Sequence, residues 1–379
     1  MIRLLATGPL RYAGLALILP LSACGLPRSG PSMTEIEAST ASDDAEALPF
    51  EVVDVTDQVA RFSSRDETLN FGAGFLSALG QNVDLFGPGD SLSITVWENV
   101  DNGLLVGMGQ KQTSLQETQI DQSGYIFVPY AGRIRAAGRS PEELRRIITQ
   151  GLQSQTPDPQ VEVRRVRSDS ATVKILGSVN APGVYPIDAS TQELVGMLSK
   201  AGGISLDPEV AIVKLRRGSQ SGQIWLQDLY DNPAFDVPLQ ADDSLIIERD
   251  RRTFTALGAF GTQQRVQFPA RNISALEALG LVGGLNSQLA NPQGVFVFRT
   301  ELPDIANKVM PGKSFSEPVN TAYVIDLTKP GGMFTAGSFG IRSGDVLYVT
   351  EAPLVRVIKT LSSLSPLVSF AGTVNNLSR

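Results

Sequence analysis

The sequence predicts an α+β protein of several domains, small mixed sheets with packed helices, ending in an amphipathic transmembrane helix that joins an oligomeric α-helical barrel. Three observations carry this expectation. The body matches itself at a shift of 81 positions, a different module ahead of that repeat alternates turn-delivered strands with a capped helix, and the last segment places apolar residues at helical spacing. A length of 379 residues also exceeds what one core fills, since cores stop growing near ~250 residues.

Residues 1–23 read as a secretory signal. Arg3 and Arg11 precede an apolar run through Ala13, Leu15, Ala16, Leu17, Ile18 and Leu19, and small residues follow, a pattern too short for a permanent span. Leu21-Ser22-Ala23-Cys24 then resembles the bacterial lipobox, and that resemblance makes Cys24 the acylated first residue of the mature chain. Gly25, not Asp, follows it, which among such lipoproteins implies passage to the outer membrane. Residues 24–84 read as an acidic tether: between Thr34 and Glu67 ten acids face only Arg61 and Arg65, so part of it is extended or bound on another surface.

Composition removes several function classes. Cys24 is the only cysteine and there is no histidine, which excludes Ser/His/Asp and Cys/His nucleophiles, His-liganded zinc and any disulfide within a chain. The formal charge of −7 becomes −9 without residues 1–23, a poor match to a nucleic-acid backbone. Arg145-Arg146 and Arg164-Arg165 with Arg167 read as solvated faces. Gly107-Met108-Gly109 lacks the third glycine of a dinucleotide fingerprint. No cofactor, metal or catalytic residue is expected; a two-carboxylate glycosidase is the one enzyme that plentiful Asp and Glu leave open.

The module at 85–167 opens with Gly87-Pro88-Gly89-Asp90, a turn delivering a strand with Leu92, Ile94 and Val96 at alternate positions. A second turn, Asp121 to Gly124, feeds Tyr125 to Pro129. Ser140-Pro141-Glu142-Glu143 is a capping box with Pro at the first helical position, and Leu144, Ile147, Ile148 and Leu152 follow on one face.

The repeat occupies 168–250 and 251–352. Leu176-Gly177 falls on Leu257-Gly258, and Gly202-Gly203 on Gly283-Gly284. Each copy reads strand, turn, strand, capped helix and closing strand, with Thr191 and Asn272 as expected caps and the paired glycines as helix stops. The shift grows to 102 at Asp243 and Asp345, so 21 extra residues loop out near Glu301 to Asn320. Tyr125, Tyr130, Tyr185 and Trp225 offer faces for sugar stacking, although a lone aromatic in a strand ordinarily packs within the fold.

In 353–379, Leu354, Val357, Leu361, Leu364, Val368 and Ala371 share one helical face and are expected to meet lipid. Lys359, Ser362, Ser363, Ser369, Thr373 and Asn376 lie opposite, toward a wet lumen if a ring closes; Pro366 is a weak point. Leu354 to Leu377 spans roughly 36 Å as a helix, against about 30 Å of hydrocarbon.

Taken in order, Pro88-Gly89-Asp90, Asp121 to Pro129, Gly132-Arg133-Ile134 to Gly138 and the helix from Ser140 resemble the first domain of the polysaccharide export (Wza-type) family. Leu176-Gly177-Ser178-Val179, Pro182-Gly183-Val184-Tyr185 and Ala201-Gly202-Gly203-Ile204 resemble its SLBB, soluble-ligand-binding β-grasp, domains. The resemblance covers 85–352 plus the lipobox. It departs at a polar insertion, Asn99 to Glu117, and at Gly261 to Arg265, where Pro-Gly is missing. It implies an outer-membrane channel exporting a capsule or exopolysaccharide, with its bulk in the periplasm. It also implies a homo-oligomeric ring, octameric in the best-known relatives, and an inner-membrane co-polymerase or chain-length regulator as partner. The alternative is a lipid-anchored periplasmic glycan-binding or scaffolding protein without a pore.

Overall fold

The computed structural model of the chain describes residues 30–39, 50–64, 68–98, 105, 112–355 and 358. They form two compact units, Glu67–Asp250 and a second that joins the chain up to Asp66 with Arg251 onward. The segment read as one tether is therefore divided. Its first part supplies α1 (Met33–Ala38), β1 (Glu51–Asp54) and α2 (Asp57–Ser63) to the discontinuous unit, and its second part supplies α3 (Ala73–Leu76) to the other.

Within Glu67–Asp250, the first module has β2 (Ser91–Trp97), β3 (Gln112–Gln119), β4 (Tyr125–Val128), β5 (Gly132–Arg135), α4 (Pro141–Leu152) and β6 (Gln160–Arg167). A sheet of order β3-β2-β6 stands beside the separate β4–β5 hairpin. Helix α4 starts at its capping box: the Glu143 N–H donates to Ser140 Oγ and the Ser140 N–H to the Glu143 carboxylate. Leu144, Ile148 and Leu152, one turn apart, are fully buried in one core with Leu92, Ile94 and Val96.

The first repeat contains β7 (Thr172–Gly177), β8 (Gly183–Pro186), α5 (Leu194–Lys200), β9 (Ala211–Arg217), β10 (Gln220–Trp225), α6 (Leu226–Asp231) and β11 (Ser244–Arg249), with strand order β10-β9-β11-β7-β8. The second contains β12 (Thr253–Gly258), β13 (Gln264–Gln267), β14 (Ile273–Ser274), α7 (Ala275–Leu281), β15 (Ala290–Glu301), α8 (Pro303–Val309), β16 (Val319–Ile325), α9 (Gly332–Ser338), β17 (Gly340–Ile341) and β18 (Val346–Glu351). Its main sheet runs β1-β16-β15-β18-β12-β13, the same order with β1 added in parallel at the edge.

Registers coincide as well. Lys174 pairs with Ser244 as Thr255 pairs with Val346, and Thr172 with Pro186 as Thr253 with Gln267. Gly177 and Gly258 sit at φ +90° and +97°, where an added Cβ would run into the carbonyl oxygens of Ile247 and Val349. Only glycine fits both constraints, which is why this part of the repeat survives in the sequence. The insertion between β15 and β16 is not a bare loop: it folds α8, whose Ile305 and Ala306 are buried.

Two expectations are corrected. The repeat helices are not capped by Thr191 and Asn272: α5 begins after Glu193 with no side-chain cap, and α7 after Ser274 with a full capping box to Glu277. Thr191 Oγ1 instead accepts from the Asp188 N–H within the preceding turn. The membrane-crossing helix of the expected fold is also corrected, because no helix among the described residues is long and apolar enough to cross a membrane. Apolar residues at spacings of three and four mark a face, and helices that span, lie on a bilayer or pack on a domain all share that pattern. Of that segment, Pro353, Leu354, Val355 and Ile358 are described as helical, with Leu354 exposed. Val357, Lys359, Leu361, Ser362, Ser363, Leu364, Val368, Ser369, Ala371, Thr373 and Asn376 lie outside the described residues.

Candidate functional site

Cys24, the expected lipidation site, lies outside the described residues. The four aromatic residues offered for stacking separate clearly. Trp225 is buried, and Tyr185 is half-buried with its hydroxyl donating to the Ala181 carbonyl at 2.5 Å. Tyr125 and Tyr130 come together on the β4–β5 hairpin.

That hairpin alternates strictly. Ile126, Val128 and Ile134 point inward to the module core, while Tyr125, Phe127, Arg133 and Arg135 point outward. The register sets Tyr125 opposite Arg135 and Phe127 opposite Arg133. The Arg133 guanidinium lies 4.3 Å from the Tyr125 ring centroid, and its Nη2 is 3.1 Å from Asp121 Oδ2. The Tyr125 backbone N–H, and then Arg133, hold the Asp121 carboxyl below the usual carboxylate range. Phe127 is 68% exposed and Tyr130 54%. Tyr130 closes the turn at φ 64°, a conformation that costs a non-glycine residue on the order of 1 kcal/mol. Phe127 escaped the sequence reading because it sits in a run apolar on both faces; the register opposite Arg133 is what singles it out.

A second constellation occurs three times. Asp90, Asp243 and Asp345 are buried at strand openings, and each carboxylate accepts the backbone N–H three residues back, from Gly87, Gln240 and Arg342. The residue before each Asp is left-handed: Gly89 at φ 94°, Asp242 at 66° and Gly344 at 90°. In the repeats an arginine completes the device. Arg217 grips Asp243 with two hydrogen bonds of 2.9 and 2.7 Å and Arg299 grips Asp345 with two of 2.8 and 2.5 Å. Each Nη2 also reaches the next segment, Pro238 O at 2.9 Å and Gly340 O at 2.8 Å.

Around Arg299 the second copy adds Glu301, which accepts from the Tyr323 hydroxyl at 2.8 Å and from Arg342 at 2.8 Å, while Arg342 also bonds the Ser63 carbonyl. Burial, and then the Glu301 charge, push the Tyr323 hydroxyl up. Burial alone would lower the Arg299 guanidinium, but Asp345 and Glu301 hold it above its ordinary value. These groups are spent on one another and fasten sheet ends; they present no free acid or base to a substrate. Nearby, a cavity of about 260 Å³ is lined by Ser64, Ser274, Glu277, Ser338 and Arg342, and its charged groups are likewise engaged, Glu277 with Ser274 and Arg342 with Glu301. Among the described residues no group of three or more side chains is placed to hold a metal.

Comparison with known proteins follows the same division of the chain. The model of the polysaccharide biosynthesis/export protein family matches residues 81–166, and that of the SLBB domain matches 171–247. The chain is similar to capsule polysaccharide export outer membrane protein CtrA of Neisseria meningitidis serogroup A, at 31% identity over 379 residues, covering 95% of this chain and 96% of the relative. It is similar to capsule polysaccharide export protein BexD of Haemophilus influenzae at 29% identity, covering 97% and 99%. Vi polysaccharide export protein VexA/TviF of Salmonella typhi is 28% identical over 72% of this chain and 75% of its own.

Proposed function

The chain belongs to the polysaccharide biosynthesis/export protein family, and from that premise we propose that it is the outer-membrane exit channel for a capsule-type surface polysaccharide. The observation that carries the reading is the end-to-end similarity to the capsule export protein of Neisseria meningitidis, which runs through both repeats and not only the first module. In this reading the protein is a transporter and not an enzyme, its bulk lies in the periplasm, and it works as a homo-oligomeric ring with an inner-membrane co-polymerase as partner. A lipid on Cys24, motivated by Leu21-Ser22-Ala23-Cys24 and the lack of any other cysteine, anchors it.

Deleting the gene tests the reading: surface polymer should vanish while polymer accumulates inside the envelope, and undiminished surface polymer would overturn it. Mass spectrometry of the mature amino end should find acylated Cys24; an unmodified chain starting elsewhere refutes the anchor. Particle images of detergent-extracted protein should show rings, whereas monomers would favour the poreless glycan-binding alternative.

A further inference from the structure

We propose that the outward face of the β4–β5 hairpin binds the exported polymer itself and selects polymers that carry carboxylates. This rests on the export reading for the presence of a glycan, and on the hairpin for its class. Every outward side chain on the two strands is an aromatic ring or a guanidinium: Tyr125 and Phe127 on one, Arg133 and Arg135 on the other. Tyr130, 54% exposed, lies in the turn that joins the two strands, at a left-handed φ of 64° that is costly for a residue other than glycine.

Aromatic faces accept the C–H faces of sugar rings, and guanidiniums take carboxylates through two parallel N–H···O bonds. Outward residues on one strand stand about 6.6 Å apart, with a partner about 5 Å across, so a chain lying along the ribbon meets rings and cations side by side. The two cations differ in commitment. Arg133 shares an exposed Asp121, and Arg135 makes no ion pair among the described residues. In a chain of net charge −7, an acidic polymer is repelled by the average surface and drawn to such a spot. Two guanidiniums neutralise too few phosphates to hold a nucleic acid.

The test titrates detergent-extracted full-length protein with a hexamer of galacturonic acid, and with a neutral glucose hexamer as control, by calorimetry and saturation-transfer NMR. The acidic hexamer should bind in preference to the neutral one, and binding should weaken in about 0.5 M salt. Substituting both arginines, Arg133→Gln with Arg135→Gln, should lose at least about tenfold in affinity, and Phe127→Ala several-fold, with particle size unchanged. Equal binding of the two hexamers, no binding of the acidic one by the wild type, or unaltered binding by the double variant would overturn the proposal. So would particles that fall apart with binding intact, which would make the face a contact between copies. A deletion strain that loses surface polymer, beside wild-type protein indifferent to the acidic hexamer, sinks this proposal and leaves export standing; undiminished export in that strain sinks the export reading alone.

Discussion

The two repeats share strand order and register but are covered differently. On the face away from the core, the first repeat places Lys214, Arg216, Gln223 and Ile246, with Lys214 paired to Glu248. The equivalent positions of the second are Phe296, Phe298, Val324 and Tyr348, packed under Ile36, Met33, Phe50 and Val52 from the leading part of the same discontinuous unit. Tyr348 also donates its hydroxyl to the Pro31 carbonyl at 2.8 Å. On the core side the relation reverses: Gly222 leaves room for Phe71 and Phe75, where the second repeat fills the same place with its own Tyr323. A duplicated backbone thus fixes the hydrogen bonds, while the side chains on each face decide which leading segment each copy recruits.

The sharpest way to break this comparison is through the two arginines. Arg299→Met strands Asp345 beside Glu301, both essentially buried, and should cost about 3–5 kcal/mol. Arg217→Met should cost less, because its partner is the single Asp243 and its side chain is 16% exposed. Hydrogen exchange read separately on β15 and β18 and on β9 and β11 checks this, and equal losses would show that Glu301 and Tyr323 add nothing to the second copy.

Next in size is Gly222→Tyr, which imports the second repeat's residue into the first. An added Cβ there stands 2.8 Å from Phe71 Cδ1 and 3.2 Å from Phe75 Cε2, so the variant should lose roughly 1–3 kcal/mol by overpacking. Protease cutting near Phe71 should rise; unchanged resistance would mean that Phe71 and Phe75 are not what the glycine makes room for.

The smallest effect sharpens the comparison. Ser274→Ala removes a cap that the first repeat lacks at Glu193, and should cost about 1 kcal/mol. The Ser274 N–H, then its hydroxyl, hold the Glu277 carboxyl below its ordinary range. A depressed carboxyl stabilises the fold above its unfolded value and loses that contribution as pH falls through the folded one. The alanine variant keeps the backbone N–H and loses only the hydroxyl's share of that depression, so the gap between variant and wild type should shrink slightly in acid; a constant gap across the thermal melts would mean that the Ser274 hydroxyl contributes nothing to holding the Glu277 carboxyl down.

The duplication and the capped helix of the first module were legible because they are written in residues with one use: Gly177 and Gly258 where no Cβ fits, and Ser140 with Glu143 three positions on. Ser274 and Glu277 carry the same signal, two positions after Asn272, whose side chain offers the same kind of acceptor without a Glu or Gln three positions on. The leading segment was illegible for a different reason. Strand β1 is four residues long in acidic sequence, and its order comes from β16, far along the chain. The Arg217 and Arg299 grips were equally hidden, since nothing local pairs an arginine with an aspartate on another strand. The outward row of the β4–β5 hairpin needed the cross-strand register before its aromatic and basic residues became one surface.

The placement of β1 bears on how the protein is made. A chain delivered amino end first presents Glu51–Asp54 long before Thr321 to Val324, the strand positions with which they pair. The unit Glu67–Asp250 is continuous and can close on itself as it arrives, while the other stays open until the chain beyond Asp250 has been delivered. During that interval α1 and β1 wait with no sheet to cover, and Phe296, Phe298 and Tyr348 then emerge as a sticky surface that Met33, Ile36, Phe50 and Val52 cover in the finished fold. The discontinuous unit should therefore gain protease resistance later than Glu67–Asp250 when the unfolded chain is refolded.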